Sequence, residues 1–149
     1  MYNRFTGGFF RHLGVFGGVK MTNLRKEMYE PVLLNSGFYL DSNNNKFNKD
    51  WTCYTLDPKK GKGHYWVYQS NSLFTISVLD FVFYEDFFLE YDQPKCISFC
   101  YYDSVSGEEL KPYKRLSSSI IKGDIGNYLY QALYHKNIPI RCTGVLLMP

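Results

Sequence analysis

Along most of this chain apolar and polar positions alternate with a period of two, the spacing of half-buried strands. Trp51 to Leu56 predicts one strand. A turn over Asp57-Pro58-Lys59-Lys60-Gly61-Lys62-Gly63 separates it from the next, His64 to Gln69, which Ser70-Asn71-Ser72 ends. Leu73 to Tyr84 carries the clearest strand pattern. Phe74, Ile76, Val78 and Val82 fall on one face, and Leu73, Leu79, Phe81 and Phe83 on the other. Apolar residues on both faces predict burial on both sides, as in a barrel wall with something packed outside it. Cys96 to Tyr102 predicts a further strand, with Ser106-Gly107 in the turn after it. Leu116 to Lys136 has partly helical spacing in Ile121, Ile125, Tyr128, Leu129 and Leu133. Gly123 and Gly126 each oppose a helix by about 1 kcal/mol, so the segment reads as mostly extended. Ile138 to Met148 closes the pattern, with Pro139 at an edge or first position.

The start of the chain reads differently. Thr22 to Tyr29 predicts a short helix, capped by Thr22 or Asn23 and ended before Pro31. Pro31 to Leu40 reads as an extended arm with a break at Ser36-Gly37, and Asp41 to Asp50 as an Asn-rich loop. Residues 1–20 mix glycines with Phe5, Phe9, Phe10 and Phe16. Arg11 and His12 interrupt the apolar run and no small-residue cleavage site follows, which argues against a signal peptide. This segment is read as a mobile or loosely docked leader, and residues 21–149 as the folded domain.

Composition agrees with the pattern. A length of 149 residues suits one domain with a real core. Hydrophobic residues make up 45% and charged residues 21%, a globular rather than disordered balance. Aromatics reach 19%, with 14 Tyr and 12 Phe; such side chains favour strands and also suit the lining of a small-molecule cavity. The expected fold is mainly β, a barrel or sandwich with few short helices. The net charge of +3 is spread over interspersed acids and bases and gives no nucleic-acid footprint. No run approaches about 18 apolar residues, so no membrane span is expected.

Chemistry-bearing residues are few. Cys53, Cys96, Cys100 and Cys142 read as reduced thiols of a cytosolic protein. Cys96 and Cys100 stand roughly 13 Å apart if their segment is a strand, too far for one zinc or a disulfide. His12, His64 and His135 form no His-x-His pair and read as surface or satisfied histidines. Asp80, Glu85, Asp86, Glu90 and Asp92 read as a solvated strand end and turn; Asp80 alone interrupts an apolar face, so it either meets a wet cavity or is paired. Gly61-Lys62-Gly63 lacks the spacing of a phosphate loop. The expectation is therefore no catalytic residue, no metal and no cofactor. His64, Trp66 and Tyr68 share one strand face, and Tyr101 shares another with Ile97 and Phe99. The predicted ligand site is a cavity lined by Trp66, Tyr68 and Tyr101, with His64 near its rim. Arg141, in an otherwise apolar strand, would take an anionic ligand group. The alternative is that the aromatics fill the core and Arg141 pairs with an acid such as Asp80.

From Met21 to Pro149 the chain resembles the N-terminal region of AraC-family transcription regulators. The resemblance rests on Gly63-His64-Tyr65-Trp66-Val67-Tyr68-Gln69, Asp80-Phe81-Val82-Phe83 and Tyr101-Tyr102-Asp103-Ser104-Val105-Ser106-Gly107. His135-Lys136-Asn137-Ile138-Pro139-Ile140-Arg141 and the closing Gly144-Val145 to Met148-Pro149 complete it. It implies a cupin-like, jelly-roll β-barrel that senses a small-molecule effector, a sugar or another polar or anionic metabolite, in the bacterial cytoplasm. The family's helix-turn-helix pair has no counterpart here, so the expectation is an effector-sensing domain, excised or naturally short, without DNA contact of its own. A homodimer is among the partners the resemblance implies, and no enzymatic activity is expected. A cupin-type enzyme or sugar-binding protein on the same barrel is the competing reading. The His/Glu metal cluster that would favour it is not offered by this sequence.

Overall fold

The structure, a computed structural model, describes residues 3–4, 23–44, 46–71 and 74–148. The expectation of a mobile leader over 1–20 therefore lies outside the described residues, apart from a two-residue strand β1 (Asn3–Arg4) that pairs in parallel with the start of β6. A π-helical turn α1 (Arg25–Tyr29) runs into α2 (Glu30–Asn35). Nine strands follow: β2 (Phe38–Leu40), β3 (Trp51–Leu56), β4 (Gly61–Asn71), β5 (Phe74–Phe83), β6 (Phe87–Ser104), β7 (Gly107–Leu110), β8 (Lys114–Leu116), β9 (Ile120–Tyr134) and β10 (Ile140–Leu147). They form one sheet in the order β2-β3-β4-β5-β10-β6-β9-β7-β8, antiparallel throughout.

One hydrophobic cluster joins Phe38 of β2 to Leu116 of β8, the two ends of that order. The sheet therefore curls around its own core, as a strongly twisted antiparallel sheet of this width must if it is to bury one face. This is the mainly β, jelly-roll-type architecture expected, with few short helices. Concave-face positions carry the apolar load: Tyr54 and Leu56 in β3, Val67 in β4, Phe81 and Phe83 in β5. The opposite, convex face is left partly apolar around β6, β9 and β10, where Phe99, Tyr101, Ile121 and Ile125 are exposed.

Three segments depart from the sequence reading. The helix does not end before Pro31 but continues through it to Asn35; Pro31 stands where the π-helical α1 passes into the first turn of α2. Asn23 provides the start, its side chain accepting from the Lys26 N–H at 3.1 Å. The alternative cap, Thr22, lies outside the described residues. Gly37, at φ +98°, ends the helical segment and feeds β2 in place of an extended arm. The turn after β3 is shorter than predicted, because Gly61, Lys62 and Gly63 already belong to β4. Finally, β6 runs for 18 residues and β9 for 15, with a register shift between Gln93 and Cys96. Pro94 cannot donate to the ladder, so the extra residue is accommodated there as a bulge.

Candidate functional site

That bulge sets which side chains face the interior. Before it the inward residues of β6 are Phe87, Leu89, Tyr91 and Gln93; after it they are Cys96, Ser98, Cys100 and Tyr102. The inward face of β4 is that of Tyr65 and Val67, and of β5 that of Thr75, Ser77, Leu79 and Phe81. Across these strands α1 and α2 lay Met28, Tyr29 and Leu33 over the open side of the curl. Between them lies a cavity of about 200 Å³. Tyr29 fixes the helical cover to the sheet: its hydroxyl and that of Thr75 are 2.7 Å apart.

Tyrosine dominates the cavity wall. Tyr65, Tyr91, Tyr102 and Tyr130 are all held well above the usual phenol pKa by burial. Burial likewise pushes Tyr29 up to about 12 against the opposing hydrogen bond from Thr75. At neutral pH these rings are uncharged and present O–H groups that can donate or accept. Tyr91 and Tyr130 lie with ring centroids 5.1 Å apart. One cation enters this lining. Lys122 Nζ sits 4.6 Å from the Tyr130 ring centroid and 2.7 Å from Glu109 Oε2, in an ion pair whose two residues are both buried. The other oxygen of Glu109, Oε1, is buried without a hydrogen-bond partner among the described residues. Cys142 and Cys100 also meet here; the hydrogen bond with Cys100, then burial, raises the Cys142 thiol. A mainly apolar wall carrying tyrosine rings and Lys122 can bind a small molecule and orient its polar groups.

The sequence-predicted site residues are elsewhere. His64, Trp66 and Tyr68 lie on the convex face of β4, opposite to Tyr65, and Tyr101 lies on the convex face of β6, 44% exposed. None of the four lines the cavity. Arg141 is half exposed and pairs with Asp80 at 3.5 Å, the alternative the sequence had offered for both. The structure does bring Trp66, Tyr101 and Arg141 together, around a shallow surface depression that Asp80, Asp103 and Lys46 also border. His64, Asp80 and Arg141 are cross-strand neighbours in register. Both faces of β4 are aromatic, so periodicity alone could not choose between them. The available signal was Asp80, whose face must be the wet one once it pairs with a residue of a neighbouring strand. Glu90 differs too: it is buried and accepts from Gln131 Nε2 at 2.6 Å, not solvated at a strand end. His135 is satisfied, with Ser106 Oγ 2.8 Å from its Nδ1 and Glu108 3.2 Å from its Nε2.

A second constellation lies on the convex side of β3 and β4. One ligand-type atom each from Asp41, Cys53 and His64 lie within 4.8 Å of one another, although the expectation from sequence was no metal. Cys53 and Thr55 are neighbours on β3, Thr55 and His64 are cross-strand partners, and Asp41 immediately follows β2. Burial is the main reason the Cys53 thiol is raised.

No protein-family model matches the sequence, and no curated protein matches it. Solved structures with a related shape include a cupin domain from Bordetella pertussis Tohama I, with 6% identity over 56% of this chain and 90% of that one, TM-score 0.43. A polyketide cyclase from Streptomyces resistomycificus shares 10% identity over 74% of this chain and 73% of its own, TM-score 0.42. A predicted oxalate decarboxylase from Thermotoga maritima shares 10% identity over 78% of this chain and 96% of its own, TM-score 0.39.

Proposed function

We propose that this chain is a small-molecule-binding domain, the effector-sensing part of a bacterial AraC-type transcription regulator, and that the cavity between the sheet and the helical cover is its ligand site. The observation that carries the reading is the cavity itself: about 200 Å³ of space with a mainly apolar lining into which tyrosine rings and Lys122 also enter. Such a wall suits a compact polar ligand, a sugar or small carboxylate. Tyrosine hydroxyls supply directional hydrogen bonds, and Lys122 supplies the one positive group among the described lining residues. The proposal includes the absence of turnover: the ligand is bound and released unchanged, in the cytoplasm, without direct contact of this chain with DNA. It also includes a homodimer, which sedimentation velocity reads directly.

The test uses the purified chain with pentoses, hexoses and short carboxylic acids as probes, read by thermal shift and calorimetry. At least one probe class should raise the melting temperature and be recovered unaltered. Ser98→Leu, which places a larger side chain in the cavity wall, should abolish that binding while circular dichroism stays β-type. Binding that survives Ser98→Leu would put the ligand outside the cavity. Silence of every probe, with no small molecule released on denaturing the freshly purified protein, would end the sensing reading.

A further inference from the structure

We infer that Asp41, Cys53 and His64 form a binding site for a divalent transition metal of the zinc class, on the convex side of the sheet and independent of the effector cavity. The three side chains come from three elements: Asp41 from the loop after β2, Cys53 from β3 and His64 from β4. Their ligand atoms lie within 4.8 Å of one another. The Cys53 Sγ to His64 Nδ1 separation is 3.9 Å. Tetrahedral zinc, with bonds of about 2.3 Å to sulfur and about 2.0 Å to nitrogen, needs roughly 3.5 Å between those atoms. A few tenths of an ångström of side-chain rotation closes the difference.

The site is already organised by one hydroxyl. Thr55 Oγ1 donates to Asp41 Oδ2 at 2.6 Å, so it accepts from the N–H at His64 Nδ1, 2.9 Å away. Both ligand atoms are thus gathered around the Thr55 hydroxyl, itself 3.9 Å from Cys53 Sγ, before any ion arrives. On binding, the metal replaces the Cys53 thiol proton, which is released to water; the neutral His64 ring moves its proton from Nδ1 to Nε2 and ligates through Nδ1, and Asp41 supplies the carboxylate. The Thr55 hydroxyl or a water completes four ligands. A thiolate, an imidazole and a carboxylate favour zinc or cobalt; magnesium and calcium take oxygen ligands. A nucleophilic use of Cys53 is disfavoured by the same geometry. Its thiol is raised by burial, and the nearest ring nitrogen of His64 is engaged by Thr55.

The surroundings make the ion a fastener. Asp41 opens the loop whose Phe47 ring stacks on Trp51 at 4.6 Å and meets Trp66 edge-on at 5.4 Å. His64 lies 5.2 Å, centroid to centroid, from Trp66. A metal held by Asp41 and His64 therefore ties this loop to the β3–β4 pair and sits close to an indole whose emission it can quench.

The experiment is a cobalt titration of the full chain after chelator treatment, read by absorption and tryptophan emission, with zinc competition measured by calorimetry. Expected are a thiolate-to-cobalt charge-transfer band, quenched emission and loss of the band when zinc is added. Cys53→Ser should remove the band and Cys100→Ser should keep it. Asp41→Ala, a loop change that leaves the sheet intact even if Cys53→Ser does not fold, should weaken zinc at least about tenfold. Absence of the band, its loss in Cys100→Ser, its survival in Cys53→Ser, or unchanged zinc affinity in Asp41→Ala would each overturn the assignment.

Discussion

The Lys122–Glu109 pair is the residue on which the interior chemistry turns. Its side chains are only 7% and 11% exposed, and Glu109 Oε1 has no partner among the described residues, so the pair sits where solvent cannot compensate a lost charge. Removing one member leaves the other buried and uncompensated, at a cost of about 3–5 kcal/mol. Lys122→Met and Glu109→Gln should each lose stability on that scale in urea denaturation. The double variant Lys122→Met/Glu109→Leu should be much less destabilised than the sum of the singles, because no charge then remains to be desolvated. Additive losses would show that the two side chains act separately. No spacing in the sequence links these residues. Lys122 stands in a stretch read only as mostly extended, and Glu109 near a predicted turn; in the ladders Lys122 faces Cys100 and Glu109 faces Ala132, so only the curl of the sheet brings the two side chains together.

At the scale of the element, β4 and β5 hold the wall together through one backbone conformation. Gly63 sits at φ +119°, and a Cβ there would come within 2.2 Å of the Asp80 carbonyl oxygen. An L-residue is strained by that φ and would also push β5 away. Gly63→Ala should therefore destabilise the protein by at least about 2 kcal/mol, measured by chemical denaturation. Gly144→Ala, at an ordinary φ with Ser77 Oγ 2.8 Å from the new Cβ, should cost less, since a hydroxyl can rotate aside. A larger loss at Gly144 than at Gly63 would contradict this account. The sequence placed both glycines but assigned Gly63 to a turn, because its φ is fixed by the pairing with Phe81 and not by local pattern.

For the whole molecule, the buried tyrosines make stability depend on alkaline pH. Their folded-state pKa values are raised by burial, Tyr29 to about 12, while the unfolded chain ionises near the ordinary value of about 10. The unfolded state therefore loses protons first. The contribution of these phenols is complete below about pH 10 and falls as pH rises from about 10 toward about 12. Thermal midpoints should be flat in this respect between pH 7 and about 9, then drop steeply, with part of the phenolate absorption, that of the buried rings, appearing only with unfolding. Full phenolate absorption in a still-folded protein would mean the buried tyrosines are open to water.

What the sequence determined by itself was the class of fold and most of its strands. Period-two alternation and aromatic, β-branched composition located β3, β5 and β10 closely, and the glycines at 123 and 126 were enough to exclude a helix where β9 lies. What it could not determine was which face of each strand looks inward. A side-chain period of two offers two equivalent answers when both faces are aromatic, and a one-residue slip exchanges them. The bulge at Pro94–Lys95 and the curl of the sheet made that choice, turning Tyr65 and Tyr102 into the cavity and His64, Trp66, Tyr68 and Tyr101 out of it. The same choice set Arg141 beside Asp80 and gathered Asp41, Cys53 and His64 from separate elements, since contacts between distant residues exist only once the registers are fixed.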